Sequence, residues 1–425
     1  MGHITNPNKD YQLLQKKLDG MATGAPDSPA FQKILQLVYS EDEAAIARKV
    51  PSIPAKLSDI AEKLKMPSNE LDEILTTMAR RGALLDMEIK GEKHFMLPPV
   101  VIGFFEYTFM RAREDLPMKE LAELFDIYMH ESEDFARSVF QKNTQIGRAL
   151  VHEEHLPEDT HTEILDYERA THIVKTASVV ALSSCACRHK AHHLDKACDA
   201  PMDVCLSLNG AAKILVRNGH AKMITNERGL EILKECKDLG LVQTGDNVQS
   251  EVSYICNCCS CCCGMLDAIN TFNIQNAIVS SNWIMSVKDN CKGCGVCISK
   301  CPIKSIELYT DENNSKLARC IEEKCIGCGV CIPSCPFKAM EMEPREKRVY
   351  TPYDTIDKTI AMALERGKLA NLIFDEPEKL THKFVARMLN AIENSPPYKA
   401  MLNVEPLKSK YLNALISYAK KRVDV

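Results

Sequence analysis

Apolar and polar residues in the first hundred positions alternate first with the period of helices and then with that of strands. Helical spacing begins at Phe31 and predicts a short amphipathic helix over residues 57–64. A second helix is expected from the capping residue Ser68 or Asn69 to Gly82, which suits the position just after a helix. Residues 84–89 and 94–97 flank a polar turn and predict a β-hairpin.

The segments beyond this region also carry helical patterns. Residues 1–30 end in a turn-rich stretch and are expected to form a loosely packed arm, whereas residues 101–180 are expected to be mostly helical. Three apolar stripes with helical spacing follow residue 354: Ile356, Ile360 and Leu364; Leu380, Phe384, Met388 and Ile392; and Leu407, Tyr411, Leu415 and Tyr418. The whole pattern predicts a multidomain chain of the α+β class.

The distribution of cysteine changes this ordinary picture. The chain has 425 residues, of which 45% are apolar, and its net charge of −5 gives no excess of positive charge for binding nucleic acid. All 20 cysteines lie between Cys185 and Cys335. The sequence shows no signal-peptide pattern and no transmembrane segment, so we expect a cytoplasmic protein whose thiols stay reduced. In that compartment, dense cysteine indicates bound metal.

A tandem motif gives the strongest chemical signal. Cys291, Cys294, Cys297 and Cys301 are separated by two, two and three residues and are followed by proline. The pattern returns 34 residues later as Cys325, Cys328, Cys331 and Cys335, again followed by proline. A pair of zinc knuckles would use two pairs of cysteines and leave four thiolates without a role, so the spacing favours iron–sulfur clusters.

Residues 286–345 resemble the bacterial ferredoxin domain that holds two [4Fe–4S] clusters. In that domain, the fourth cysteine of each motif binds the cluster of the other motif. The resemblance therefore implies one cluster on Cys291, Cys294, Cys297 and Cys335 and a second on Cys325, Cys328, Cys331 and Cys301. Cys320 lies in an insertion between the motifs, and we expect it to be a spare thiol.

Ten more cysteines form a second field upstream of the tandem motif. They are Cys185, Cys187, Cys198 and Cys205, followed by Cys256, Cys258, Cys259, Cys261, Cys262 and Cys263. Six thiols in eight residues have no packing rationale, and soft sulfur ligands select iron–sulfur clusters or zinc. The ten thiols could hold two further clusters, or one cluster with some thiols free. Our first expectation places a third [4Fe–4S] cluster on the first four and another site, or a reactive extension, on the last six.

Histidines near these cysteines offer weaker signals. His189, His192 and His193, together with Arg188, are expected to donate hydrogen bonds near the cysteines or to lie in solvent rather than to bind metal. His152 begins a pattern similar to that of zinc metalloproteases, but Leu156 occupies the position of the second histidine, so the motif fails.

Two wider resemblances follow from these patterns. The two helices and ribbon resemble a winged helix-turn-helix, and the whole arrangement resembles four-iron ferredoxin-domain proteins of anaerobic bacteria and archaea. The predicted organisation is an arm at 1–30, a winged-helix-like domain at 31–100, a helical connector at 101–180, a Cys-rich iron–sulfur domain at 181–285, a two-cluster ferredoxin domain at 286–345 and a C-terminal helical region at 346–425.

Three functions compete at this point. The first is an electron-transfer protein, or a subunit of a larger complex, that serves a partner oxidoreductase or redox protein in anaerobic metabolism. The second is an oxidoreductase with an active cluster in the Cys-rich middle domain. The third is a redox-sensing winged-helix regulator. Charge disfavours this function, because residues 31–100 contain ten Lys and Arg and eleven Asp and Glu, which leaves no positive excess for binding DNA. Fingerprints for dinucleotides and for phosphate-binding loops are missing, so no organic cofactor is indicated.

Overall fold

A computed structural model of the chain describes residues 8–156 and 166–373. The chain divides into two units, of which the first comprises 1–144, 218–220 and 355–425 and the second 145–217 and 221–354. The boundary after residue 144 falls inside the segment predicted as a helical connector. The last two predicted helical stripes, at 380–392 and 407–418, lie outside the described residues.

The first unit contains ten of the described helices and a small sheet. The helices are α1 (Lys9–Asp19), α2 (Pro29–Val38), α3 (Glu41–Ala47), α4 (Leu57–Leu64), α5 (Ser68–Arg80), α6 (Phe105–Phe109), α7 (Met118–His130), α8 (Asp134–Phe140), α15 (Thr355–Glu365) and α16 (Leu369–Ile373). The strands are β1 (Ala55–Lys56), β2 (Leu85–Ile89) and β3 (Glu92–Met96), in the antiparallel order β1-β3-β2.

The two helices and the hairpin predicted from apolar spacing are present as α4, α5 and the β2–β3 pair. The hairpin turn consists of Lys90 and Gly91, which both have positive φ values of 52° and 79°. Positive φ at both central residues is what a two-residue turn between right-twisted strands requires. This two-residue turn places Ile89 opposite Glu92 and so fixes the register of the hairpin.

Aromatic packing forms the centre of the first unit. The rings of Phe31 on α2 and Tyr128 on α7 stack with centroids 4.6 Å apart, and Phe104 packs against Phe125 at 6.1 Å. Helix α2 begins after Ser28, whose hydroxyl accepts a hydrogen bond from the Phe31 backbone N–H, and Pro29 occupies the first turn. The segment expected as a loose arm contains α1, whose Leu14 and Leu18 are buried.

The second unit contains a six-stranded antiparallel sheet and two smaller ribbons. Its helices are α9 (Ala170–Thr176), α10 (Ala186–His193), α11 (Asn209–Arg217), α12 (Asn226–Asp238), α13 (Gly264–Asn270) and α14 (Val296–Lys300). The large sheet has the order β4 (Gly147–Ala149), β8 (Val242–Asp246), β9 (Tyr254–Cys258), β6 (Asp203–Leu208), β5 (Val180–Ser184) and β7 (Lys222–Ile224).

The face of this sheet packs against helices through an aliphatic core. Val174 on α9 and Ile232 on α12 are buried together with Leu206 and Ile255 from the central strands. Burial of aliphatic side chains of this size contributes about 1.5–3 kcal/mol each. The two central strands β6 and β9 also carry three of the middle cysteines, so the core holds these strands in a fixed register.

The tandem-motif region folds around two antiparallel ribbons. One pairs β10 (Trp283–Val287) with β13 (Met340–Pro344), and the other pairs β11 (Ile306–Thr310) with β12 (Lys316–Cys320). Trp283, Met285 and Met342 are buried between the ribbons and the cysteine loops.

A buried ion pair joins the large sheet to this region. Arg148 on β4 lies 2.6 Å from Glu168, and both side chains are fully buried. Glu168 accepts a second hydrogen bond from the side chain of Asn282, next to β10, at 2.8 Å. Arg148 also donates to Thr351 at 2.9 Å. Because charges are costly to bury unless they are paired, this network fixes the tandem-motif region against the sheet.

Candidate iron–sulfur and metal centres

A first cavity in the tandem-motif region is surrounded by four cysteines. Cys291, Cys294 and Cys297 come from the first motif, and Cys335 comes from the end of the second. Gly295 has a φ of 77° and turns the chain into α14, whose first turn carries the buried Cys297.

A second cavity has the mirrored composition. Cys325, Cys328 and Cys331 of the second motif line it together with Cys301 of the first. Its remaining wall is mostly apolar and includes Met285, Ile303, Ile306, Ile326 and Met342. Each cavity thus draws three cysteines from one motif and one from the other.

Two glycines let the backbone approach closely in these loops. Gly293 has a φ of 59° and Gly327 a φ of 69°, both in the left-handed region. A Cβ atom at Gly293 would collide with the backbone of Lys316, and one at Gly327 would collide with the backbone of Trp283. Only glycine fits both the conformation and the space at these positions.

Backbone N–H groups point at the cysteine sulfurs in both cavities. Gly293 donates to Cys291 Sγ at 3.4 Å, Ser305 donates to Cys301 Sγ at 3.2 Å, and Ala339 donates to Cys335 Sγ at 3.3 Å. Such hydrogen bonds favour the thiolate form that binds metal. Four convergent thiols, an apolar wall and inward N–H donors are together the donor set that suits a [4Fe–4S] cluster.

Cys320, expected to be a spare thiol, lies beside the second cavity. Its thiol hydrogen-bonds to Cys325, and this contact lowers the pKa of Cys325 to about 6. Burial has the opposite effect on Cys328, whose pKa it raises to about 12. A buried thiol of this kind becomes a thiolate only when a positive partner such as a metal compensates the charge.

The ten middle cysteines divide into two contact groups that cut across the two sequence segments. Cys198 from the loop after α10 lies with Cys259, Cys261 and Cys262 from the turn after β9, and all four sulfurs are within 4.8 Å of one another. We call this group the thiol tetrad. The thiols of the other six interact with one another and belong to Cys185, Cys187, Cys205, Cys256, Cys258 and Cys263.

Strand pairing and helix starts position the six-cysteine group. Cys205 on β6 lies across from Cys256 on β9, and their sulfurs are 3.9 Å apart. Cys258 is two residues further along β9, on the same face of the sheet as Cys256. Cys185 and Cys263 directly precede α10 and α13. The sequence grouping placed Cys198 with Cys185, Cys187 and Cys205, whereas the tightest contacts of Cys198 are with the later segment.

The electrostatic surroundings favour thiolates at selected middle cysteines. Hydrogen bonds from Cys256 and Cys263 lower the pKa of Cys258 to about 6. The thiol of Cys262, and then the guanidinium of Arg188, lower the pKa of Cys259 to about 4. Arg188 is fully buried and lies 3.5 Å from Cys259 Sγ, so it supplies a positive charge beside the tetrad. In the sequence Arg188 stands directly after Cys187 and is expected to be a hydrogen-bond donor beside the cysteines or a solvated side chain; the structure has it as a buried donor.

The histidines near the cysteines form two sets, one on helix α10 and one at residues 152–155. The rings of His189 and His193 lie 4.8 Å apart on α10, and within the described residues no group of possible metal ligands combines them with cysteines. His152, Glu154 and His155 do form such a group, with ligand atoms within 4.8 Å. Burial lowers the pKa of His152 to about 4, so its ring is neutral at pH 7. In the sequence this group corresponds to the spacing His-x-Glu-His, which differs from the metalloprotease pattern and was therefore not recognised as a possible metal site.

The comparisons with known proteins concern the tandem motif. A family model for the 4Fe-4S dicluster domain matches residues 290–339. No curated protein and no solved structure matches the chain significantly. In the described ranges, no helix is both long and apolar enough to cross a bilayer. The match assigns iron–sulfur chemistry to the region of the two cavities.

Proposed function

We propose that this protein relays electrons through several [4Fe–4S] clusters to or from a partner oxidoreductase or redox protein, alone or as a subunit of a larger complex. The observation that supports this most directly is the pair of cavities, each lined by three cysteines of one motif and one of the other. When bound, such clusters take up and release single electrons at potentials set by their surroundings.

The proposed ligands follow the crossed arrangement of the two motifs. One cluster is held by Cys291, Cys294, Cys297 and Cys335, and the other by Cys325, Cys328, Cys331 and Cys301. The middle cysteines hold one or two further metal centres, for which the contacts among the ten thiols provide support.

A short hydrogen-bonded connection runs from the second cavity toward the middle cysteines. The His152 backbone N–H donates to the Cys328 carbonyl at 3.1 Å, and the His152 ring contacts the Leu241 carbonyl at 3.3 Å. The next residue, Val242, pairs with Cys258 in the large sheet. This continuity favours a relay in which the middle centre exchanges electrons with the second ferredoxin cluster.

A second connection follows helix α13. The helix begins after Cys263 and ends at Asn270, whose side-chain amide donates to the Pro302 carbonyl at 3.0 Å. Pro302 follows Cys301, a proposed ligand of the same second cluster. Seven helical residues span about 10 Å, so the middle field and the cavity are close neighbours.

Iron and sulfide analysis of anaerobically purified protein, together with EPR of the reduced form, tests the proposal. The two ferredoxin clusters alone account for about eight irons per chain, and one further cluster raises this to about twelve. Reversible one-electron reduction without turnover of a substrate is the expected behaviour. Iron well below the ferredoxin value in anaerobically prepared, sulfide-reconstituted protein would contradict the proposal.

An oxidoreductase with an active cluster in the middle domain is the second candidate. The observation that favours it is the surplus of thiols, since six cysteines contact one another where a [4Fe–4S] cluster needs four. Turnover of a small-molecule substrate that is lost on mutation of Cys256, while the ferredoxin EPR signals persist, would select this candidate over the relay.

The winged-helix-like part is proposed to contact protein rather than DNA. Helix α5 carries the exposed Glu70 in its first turn, and this negative charge would repel DNA phosphates. The positive charge of Lys93 is paired with Asp72 at 2.6 Å. We predict weak, strongly salt-dependent binding in an anisotropy titration with duplex DNA. Nanomolar, sequence-selective binding at physiological salt would instead support the redox-sensing regulator.

A further inference from the structure

The four thiols of the tetrad lie much closer together than a cluster with four irons requires. The Cys198 and Cys259 sulfurs are 3.6 Å apart, and those of Cys261 and Cys262 are 3.7 Å apart. Four sulfurs that surround one tetrahedral ion at about 2.3 Å are separated by about 3.8 Å. The tetrad therefore has the size of a site for a single ion.

The ferredoxin cavities provide an internal standard. In a [4Fe–4S] cluster each cysteine binds a different iron at the corner of a cube, so the four sulfurs lie further apart than around one ion. In the described residues, the cysteines around the two cavities form no group of three or more whose sulfurs all lie within 4.8 Å. Over residues 8–156 and 166–373, the tetrad is the one four-cysteine group whose sulfurs all lie within 4.8 Å.

The surroundings of the tetrad suit a charged tetrathiolate site. Four thiolates around a divalent ion carry a net charge of −2, and the buried Arg188 donates to Cys259 Sγ at 3.5 Å. The Cys198 backbone N–H hydrogen-bonds to Cys262 Sγ. Hydrogen bonds to ligand sulfurs orient the ligands and stabilise their charge.

The tetrad also joins two segments that lack regular structure of their own. Cys198 lies in the coil between α10 and β6, and the other three cysteines lie in the turn between β9 and α13. A closed four-coordinate ion is how short loops are commonly fixed in small metal sites. Both loops also flank the six-cysteine group, so fixing them positions those thiols.

We propose that Cys198, Cys259, Cys261 and Cys262 bind a single divalent ion, Zn²⁺ or Fe²⁺, in a tetrahedral tetrathiolate site. The site is separate from the two ferredoxin clusters and does not depend on electron transfer by the protein. It leaves Cys185, Cys187, Cys205, Cys256, Cys258 and Cys263 for the further iron–sulfur centre.

Metal and sulfide analysis of anaerobically purified full-length variants tests this site. Cys261→Ser alters the most exposed ligand, and we expect it to lose about one metal ion per chain with no change in acid-labile sulfide. Cys236→Ala, at a buried cysteine outside the tetrad, is the matched control and should keep every metal. Loss of about four irons together with sulfide from Cys261→Ser would overturn the proposal.

X-ray absorption on the wild-type protein keeps the test independent of how the variants fold. If the ion is zinc, its absorption edge should report four sulfur neighbours at about 2.3 Å and no metal–metal scattering. If it is iron, the Cys261→Ser variant should lose a mononuclear high-spin iron signal in Mössbauer spectra. Absence of both a tetrathiolate zinc and a mononuclear iron in wild-type protein would overturn the proposal.

Discussion

The two cysteine-rich regions of the second unit assemble their thiols in different ways. In the tandem motif, three of the four cysteines around each cavity lie within seven consecutive residues of the chain. In the six-cysteine group of the middle field, neighbouring thiols come from paired strands and from separate helix starts, as with Cys205 and Cys256 on β6 and β9. The comparison teaches that local spacing indicates a site when most of its ligands come from one short segment, and not when they come from paired strands.

The largest expected effect comes from removing Cys335, the cysteine of the second motif that lines the cavity of the first. Cys335→Ala should remove about four irons per chain, because Cys335 completes the cavity of Cys291, Cys294 and Cys297. EPR of the reduced variant should show the same residual signal as Cys297→Ala and a different one from Cys328→Ala. A residual signal shared with Cys328→Ala would show that the fourth ligand is not exchanged between motifs.

A glycine pair tests whether the loop backbone itself makes the first cavity. Gly293→Ala should abolish loading of this cluster, since its Cβ would collide with the Lys316 backbone at a φ of 59°. Gly295→Ala is the control: it has a φ of 77°, but its Cβ would meet only the Leu308 side chain, at 3.7 Å. It should keep its iron and cost about 1–2 kcal/mol. Equal iron loss in both variants would mean that positive φ, rather than close approach, limits the loop.

The buried ion pair tests whether the two cysteine regions depend on one folded scaffold. Arg148→Met leaves Glu168 buried without its partner and should lower the free energy of unfolding by about 3–5 kcal/mol. Arg319→Met breaks a pair of similar length, 2.6 Å to Glu307, on the exposed β11–β12 ribbon. That control should cost at most about 1 kcal/mol. Urea unfolding of the anaerobic proteins measures both, and equal costs would contradict the role given to Arg148.

These contrasts explain which parts of the molecule could be predicted from the sequence. Helices α4 and α5 and the β2–β3 hairpin follow from local apolar periods and turn residues, and the structure contains them. Helix α1 was missed although Tyr11, Leu14 and Leu18 have helical spacing, because the turn-rich residues that follow suggested a loose arm.

The contacts of the middle cysteines depend on pairing between distant strands. Cys198 meets Cys259 across 61 residues, and Arg188 reaches Cys259 across 71. Nothing in the spacing of either segment encodes the register of β6 against β9, which is set by the packing of the whole sheet. Sequence reasoning could therefore identify the thiols as a metal-binding field but not divide them into groups.

The smallest expected effect distinguishes the two proposed clusters of the tandem motif from each other. In the first motif, the buried Ser305 hydroxyl lies 3.2 Å from Cys301 Sγ, and the Ser305 backbone N–H donates to the same sulfur. The corresponding residue after the second motif is Ala339, which offers Cys335 only its backbone N–H. A cluster-bound sulfur can only accept, so in the proposed clusters Ser305 gives the Cys301 sulfur one more hydrogen bond than Ala339 gives the Cys335 sulfur.

Hydrogen bonds to ligand sulfur stabilise the more negative, reduced state and so raise the reduction potential. Ser305→Ala should therefore lower the potential of the cluster on Cys301 and leave its iron content unchanged. Ala339→Ser is the reciprocal variant and should raise the potential of the cluster on Cys335. EPR-monitored redox titrations of both variants measure the two shifts. Because each substitution changes one hydroxyl group, shifts of the same sign in both variants would show that something other than hydrogen bonding to sulfur separates the two potentials.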